Sequence, residues 1–334
     1  MKARWSRREL VGALTAGVLL AAVGCQQVRR TESALARAAD AAATRGTSPG
    51  NGVLAGPSLP GRIVFGRNGA LYVWENGAVQ PFGESSGLAD PAWSRDGRLL
   101  AAVSFGTNHS DLVVLDAGGG GLRQLTHNLS NVSVSDSIWA RKPTWSPDRS
   151  RLAFITDRGK NDMSLWLIGA DGTNLTTLVV DKPFSGGLDW PSWSPTGDEI
   201  AFTSFAEAVS AIASVDLKTG KQRTIATATD GALDPAWSPD GKYLAYVGRA
   251  GATTDVYVTT GTGDTPARVT SDGIFRGPVW SPAGDALVLI GANGDRFSLF
   301  VSQLSRGDSL AATASVPLAG TDDVTAPSGA TWTM

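Results

Sequence analysis

The sequence predicts an all-β fold, a six-bladed β-propeller of four-stranded antiparallel blades, and three observations carry that expectation. The first is a phrase, Pro-x-Trp-Ser-Pro-Asp-Gly, that recurs five times with small changes, at 91–97, 143–149, 191–197, 235–241 and 278–284. A fixed period of about 40–50 residues marks a repeat architecture. The second is the grammar after each copy: a turn, then three short β-rich runs separated by Gly, Asn and Asp. The third is that the two ends of the body complement one another.

The tryptophan strand comes first in each repeat. Ser-Pro-Asp-Gly ends it in a tight turn, because Pro presets φ, Asp bonds the backbone ahead and Gly takes positive φ. The second runs are 99–104, 152–156, 199–204, 243–247 and 286–290. The third are 111–116, 163–168, 211–217, 255–260 and 298–304. Weaker fourth runs follow at 122–126, 174–180, 221–226 and 267–270. A single meandering sheet of this kind cannot bury both faces, whereas radial packing buries each against its neighbour. The repeated Trp then fills the gap between adjacent sheets.

Closure gives a blade count. The body opens at 62–66, 70–75 and 78–82 with a second, third and fourth strand that lack a tryptophan strand. The chain ends on Ala330-Thr-Trp332, a tryptophan strand with no blade after it. Joined, the two make one blade, and Trp93, Trp145, Trp193, Trp237, Trp280 and Trp332 count six. Because Ala330 takes the proline slot in the last copy, seven blades stand as the alternative count.

Ahead of the body, Lys2, Arg4, Arg7 and Arg8 precede an apolar run at 10–24 that is short of the ~20 residues a bilayer span needs. Residues 1–24 therefore read as an export signal. Ala22-Val-Gly-Cys25 resembles the lipobox of bacterial lipoproteins, which implies lipidation at Cys25, the only cysteine. Ser6-Arg7-Arg8-Glu-Leu10 resembles the twin-arginine export motif, with ordinary secretion as the alternative. Residues 25–60 read as a lipidated Cys and flexible tether, Ala-rich and then Gly/Ser/Pro-rich, and residues 61–334 as the propeller. The expected address is the outer side of a membrane, in the periplasm or at the cell surface.

Composition narrows the chemistry. A net charge of −2 leaves no electrostatic footprint for nucleic acid. One cysteine and two histidines, His109 and His127, exclude a His/Cys-rich zinc or copper site and an intrachain disulfide. Both histidines read as exposed turn residues. Gly83-Glu-Ser85-Ser-Gly87 matches the nucleophile-elbow pattern, but no helix follows it, so it reads as a linking loop.

Trp-Ser-Pro-Asp-Gly followed by Lys-Tyr-Leu-Ala-Tyr at 242–246, or by Asp-Glu-Ile-Ala-Phe at 198–202, resembles the TolB-type propeller repeat, a relative of WD repeats. The resemblance covers residues 61–334, without the extra N-terminal domain of TolB. It implies a non-catalytic scaffold of the cell envelope that binds a protein or peptide. The candidate site is the set of loops just before the tryptophan strands, which gather at one mouth of the channel. They carry Asp90, Asp189 and Asp234, with Asp322 and Asp323 near the end, among Trp139, Arg141, Lys142, Lys182, Phe184, Trp190, Phe275 and Arg276. Aromatic residues interleaved with charges suit a binding face. No catalytic residue, cofactor or metal is expected; converging carboxylates leave a Ca²⁺ site open. The alternatives are a hydrolase or lyase acting on a glycan or peptide in the channel, with Asp90, Asp189 and Asp234 as acid and base, and a sensor of a small molecule or metal.

Overall fold

A computed structural model describes residues 59–334 apart from 132, 160–161, 181–185, 261, 263–264, 272 and 307–309. The expected signal, Cys25, Lys182 and Phe184 lie outside the described residues.

Six sheets are arranged as a propeller, and each begins at the channel with a tryptophan strand. Blade one runs through Leu88–Trp93, Leu99–Phe105, Ser110–Asp116 and Arg123–Gln124. Blades two, three and four start at Ala140–Trp145, Leu188–Trp193 and Ala232–Trp237 and meander outward in the same order. Blade five starts at Phe275–Trp280; its outer position is shared by Leu310–Ala312 and Val316–Pro317, both paired with Arg296–Arg306. Blade six is the clasp. Ala330–Thr333 pairs antiparallel with Arg62–Arg67, placing Trp332 opposite Ile63. The count is six, not seven. Among the described residues the only helices are two short 3-10 turns, Val134–Asp136 and Ala326–Ser328, and none is long and apolar enough to cross a membrane.

The core is six hydrophobic clusters, one at each blade junction. Trp93 packs with Val64 and Leu71 of blade six and with Leu100 and Val113 of its own blade. Trp145, Trp193, Trp280 and Trp332 do the same at their junctions, and Trp237 packs against the cluster of Ile212 and Tyr246. A tryptophan buries some 150–250 Å², worth roughly 4–6 kcal/mol as an upper bound at about 25 cal/mol/Å². Hydrogen bonds tie the same seams: the Trp145 and Trp280 indoles donate to the Ala92 and Ala236 carbonyls of the preceding blades, at 3.0 and 2.9 Å. Where the residue before the preceding tryptophan carries a hydroxyl, that hydroxyl takes the backbone N–H instead, as Thr331 does for Trp93 (3.0 Å) and Ser192 for Trp237 (3.0 Å).

The turn after each tryptophan works as the sequence implied, with one addition. Ser146 Oγ donates to Asp148 (2.6 Å) and accepts from Arg151 N (3.0 Å), so the serine is the hub of the turn. These bonds, with those of Ser150, hold the Asp148 carboxyl down at about 2. Ser238 and Ser281 are hubs of their turns in the same way, donating to Asp240 (2.6 Å) and Asp285 (2.7 Å) and accepting from Tyr243 N (2.9 Å) and Ala286 N (3.0 Å). Leu59 is buried in the blade five–six cluster and the Pro60 carbonyl accepts the Trp332 indole N–H at 2.9 Å, so the end of the expected tether is pinned to the ring.

Candidate functional site

The residue three before each tryptophan forms a ring around the channel: Asp90, Lys142, Trp190, Asp234, Gly277 and Gly329. All six have positive φ, between 49° and 74°. Five inner strands slip register at this point, a bulge that re-aims the side chain. Positive φ is uncommon for a non-glycine residue, and the position before proline normally favours extended backbone. Asp tolerates it; Lys142 and Trp190 are outliers, each costing of order 1–3 kcal/mol that the surrounding ring must offset.

Asp90 and Asp234 are brackets between blades. Arg141 Nε and Lys142 Nζ of blade two each lie 2.9 Å from the Asp90 carboxylate, and Lys142 N donates to it at 3.2 Å. Across the ring, Arg276 grips Asp234 with Nε at 3.1 Å and a terminal nitrogen at 3.2 Å, while Gly277 N donates at 3.1 Å. The same module thus joins blade one to two and blade four to five. Burial alone would raise the Asp90 carboxyl; the Lys142 and Arg141 charges outweigh it and hold the group below the ordinary range.

Trp190 closes the channel. Its indole ring reaches the opposite wall, where a Cβ on Gly329 would lie 3.2 Å from Cζ2, and it touches Gly277 in the same way at 3.2 Å. A side chain at either glycine would crowd the indole and would have to take a positive φ. The Lys142 ammonium sits 3.8 Å from the indole centroid and also donates to the Pro327 carbonyl. Below this floor the channel is a cavity of about 520 Å³ lined by all six tryptophan strands. At its far end Arg95 of blade one, standing where four other copies have proline, reaches across to the Pro195 and Pro239 carbonyls at 3.2 and 3.4 Å. Each end is spanned by side chains.

Asp189 differs from the other two carboxylates. It lies one residue earlier in its strand, is half-buried, and accepts the Trp190 N–H at 2.8 Å. No lysine or arginine pairs with it among the described residues. Burial raises its pKa, and the nearby Asp234 charge adds to that, against the pull of Lys142 and Arg141.

The other expected residues divide. Trp139 donates its backbone N–H to Asp157 (2.8 Å) and lies 6.3 Å from Phe105, whose ring the Arg141 guanidinium covers at 5.3 Å, so these three form an aromatic shelf beside the ring. Phe275 is drawn inward onto Phe300, edge to face at 5.6 Å, and serves packing. Asp322 accepts Ser298 Oγ (3.0 Å) and Asp323 pairs with Arg296 (3.2 Å); both stand against the third strand of blade five, away from the inner strands. Ser85 is buried, and its hydroxyl accepts from Leu71 N and donates to Leu71 O, both at 3.0 Å, so its loop is structural. His127 is exposed as expected. His109 is not: it is half-buried, with Nε2 3.5 Å from Asp111 and Nδ1 buried without a partner. Among the described residues no three His, Cys, Asp or Glu side chains gather as a metal site.

A family model described as "TolB beta propeller domain" matches residues 160–326, half of the chain. The chain belongs to the TolB β-propeller family. Its fold matches the crystal structure of TolB from Acinetobacter baumannii with a TM-score of 0.65 at 20% identity, over 83% of this chain and 67% of that one. The Tol-Pal system protein TolB of Francisella tularensis (strain SCHU S4 / Schu 4) is 26% identical over 174 residues, 51% of this chain and 37% of that protein. The TolB propeller also resembles parts of proteins with peptidase names. "Uncharacterized peptidase YuxL" of Bacillus subtilis (strain 168) is 26% identical over 201 residues, 48% of this chain and 29% of the relative. Dipeptidyl-peptidase 5 of Porphyromonas gingivalis is 30% identical over 152 residues, 42% of this chain and 21% of the relative. The chain therefore spans under a third of the length of these two relatives.

Sequence reasoning missed Arg95, although an arginine in a proline slot was the available signal. It also grouped Asp189 with Asp90 and Asp234. The signal that separates them is a one-residue offset, Asp-Trp-Pro against Asp-Pro.

Proposed function

We propose that this chain is a non-catalytic scaffold of the cell envelope that docks a protein or peptide segment on the mouth above Trp190. The observation that carries the reading is the closed floor: with the Trp190 indole across the channel, a ligand meets a shallow charged platform, the form a docking surface takes. The Phe105–Trp139–Arg141 shelf enlarges that platform. Family membership supports the envelope setting, since the TolB relatives are named as Tol-Pal system proteins. Export, with a lipid anchor at Cys25 on a tether, is part of the same proposal; Cys25→Ala should release the protein from membranes, and retention there would refute the anchor.

The docking test is site-specific photocrosslinking in cells, with the photoreactive residue at Trp139 and, as control, at Lys221 on an outer turn. Adducts to a defined protein from position 139 alone are expected. Equal adducts from both positions, or none from 139, would count against the mouth. The peptidase-named relatives support a second reading, a hydrolase or lyase acting on a glycan or peptide. Against a two-carboxylate mechanism stands the pairing of Asp90 and Asp234 with cations, which leaves Asp189 without an equivalent acid or base in the ring.

A further inference from the structure

Three carboxylates surround the floor, and two are fully employed. Asp90 holds Arg141 and Lys142, and Asp234 holds Arg276 in a two-pronged pair. Asp189, one residue before the ring position, has only its neighbour's amide as a hydrogen-bond partner among the described residues. Burying a carboxylate without a counter-cation opposes folding, and such groups cluster where a ligand completes the pairing. The cations nearest to Asp189 in electrostatic terms, Lys142 and Arg141, are already bonded to Asp90. The next residue, Trp190, whose backbone N–H the Asp189 carboxylate holds, carries an indole that already attracts Lys142 at 3.8 Å and Arg276 at 5.8 Å. A carboxylate next to an indole is the chemistry that receives a cation, through a charge-assisted hydrogen bond and a cation–π contact.

We propose that Asp189 is an anchor for a cationic group, the side chain of an arginine or lysine on the segment docked at the mouth. The proposal rests on the docking reading for its ligand and on the unfilled pairing of Asp189 for its chemistry. The brackets at Asp90 and Asp234 then have a second role: they hold the protein's own cations away, so that Asp189 stays open to an outside one.

The test uses small probes, independent of any cellular partner. Acetyl-Gly-Arg-Gly-amide, acetyl-Gly-Lys-Gly-amide and the neutral citrulline analogue are titrated into full-length protein labelled at tryptophan. The Trp190 indole N–H resonance, assigned with Trp190→Phe, is followed. Saturable shifts are expected with both cationic peptides, little with citrulline, and at least tenfold weaker binding in Asp189→Asn, an isosteric change that keeps an acceptor for Trp190 N. Equal binding by Asp189→Asn, equal binding by citrulline, or no saturable shift would each overturn the anchor. The outcomes separate from the docking test. Crosslinks at position 139 that survive in Asp189→Asn, with peptide binding absent, sink the anchor alone. Peptide binding that depends on Asp189, without crosslinks, sinks the docking reading and keeps the anchor.

Discussion

Asp189 and Asp90 are both channel aspartates, but they have opposite thermodynamic signs. The folded state depresses Asp90 and raises Asp189. A raised carboxyl means that its ionised form opposes folding at neutral pH, and this penalty fades once pH falls below both the folded and unfolded values. Asp189→Asn should therefore raise Tm at pH 7, with the gain shrinking as pH falls toward the ordinary carboxyl value of 3.8. Asp90→Asn should do the reverse: it removes stability present at neutral pH, a loss that narrows as acid protonates the wild-type group. Melting curves from pH 3 to 8 check both, and a destabilised Asp189→Asn at pH 7 would contradict the assignment. Trp190 and Gly329 offer a second residue-scale prediction. Gly329→Ala places a methyl 3.2 Å from the indole at a positive φ and should cost about 1–3 kcal/mol. Part of that loss should vanish in the Trp190→Ala background, a coupling that a double-mutant cycle measures.

At the scale of the element, the tryptophan strand and its turn were legible because each copy makes the same contacts. The five second strands begin within one residue of their expected starts, and 199–204 matches Glu199–Ser204 at both ends. The outermost strands were less legible: 122–126 shrinks to Arg123–Gln124, where both residues are exposed and no buried face supplies a pattern. The site was half legible. Its location just upstream of each tryptophan followed from topology, but the bulge that turns one residue per strand into the channel has no signature beyond the proline after it. The roles of Asp90 and Asp234 depend on Arg141 and Arg276, which approach from a neighbouring blade. The turn itself is open to test. Ser238 is fully buried and makes two bonds in its turn, so Ser238→Ala should cost about 1–3 kcal/mol by urea denaturation. A change under a few tenths would show that the serine is dispensable.

At the scale of the whole molecule, the two spans across the channel predict restricted access to the cavity. With Cys25→Ser removing the only native thiol, a cysteine at Thr144, which lines the cavity, should react slowly with a small thiol reagent. Arg95→Ala or Trp190→Ala should speed labelling at least tenfold. Fast labelling of the parent would show that neither span restricts passage. The ring also has a seam unlike the other five, since blade six takes its inner strand from one end of the chain and the rest from the other. Open repeat arrays fray from their terminal units, because an end repeat has a neighbour on one side only. Here every blade has two neighbours, and no blade can peel away without parting Ile63 from Trp332 or breaking into the middle of the circle. The clasp therefore acts on opening as well as on shape. It joins six modest units into one ring in which no blade is terminal, so opening must begin by breaking a seam that is packed on both sides.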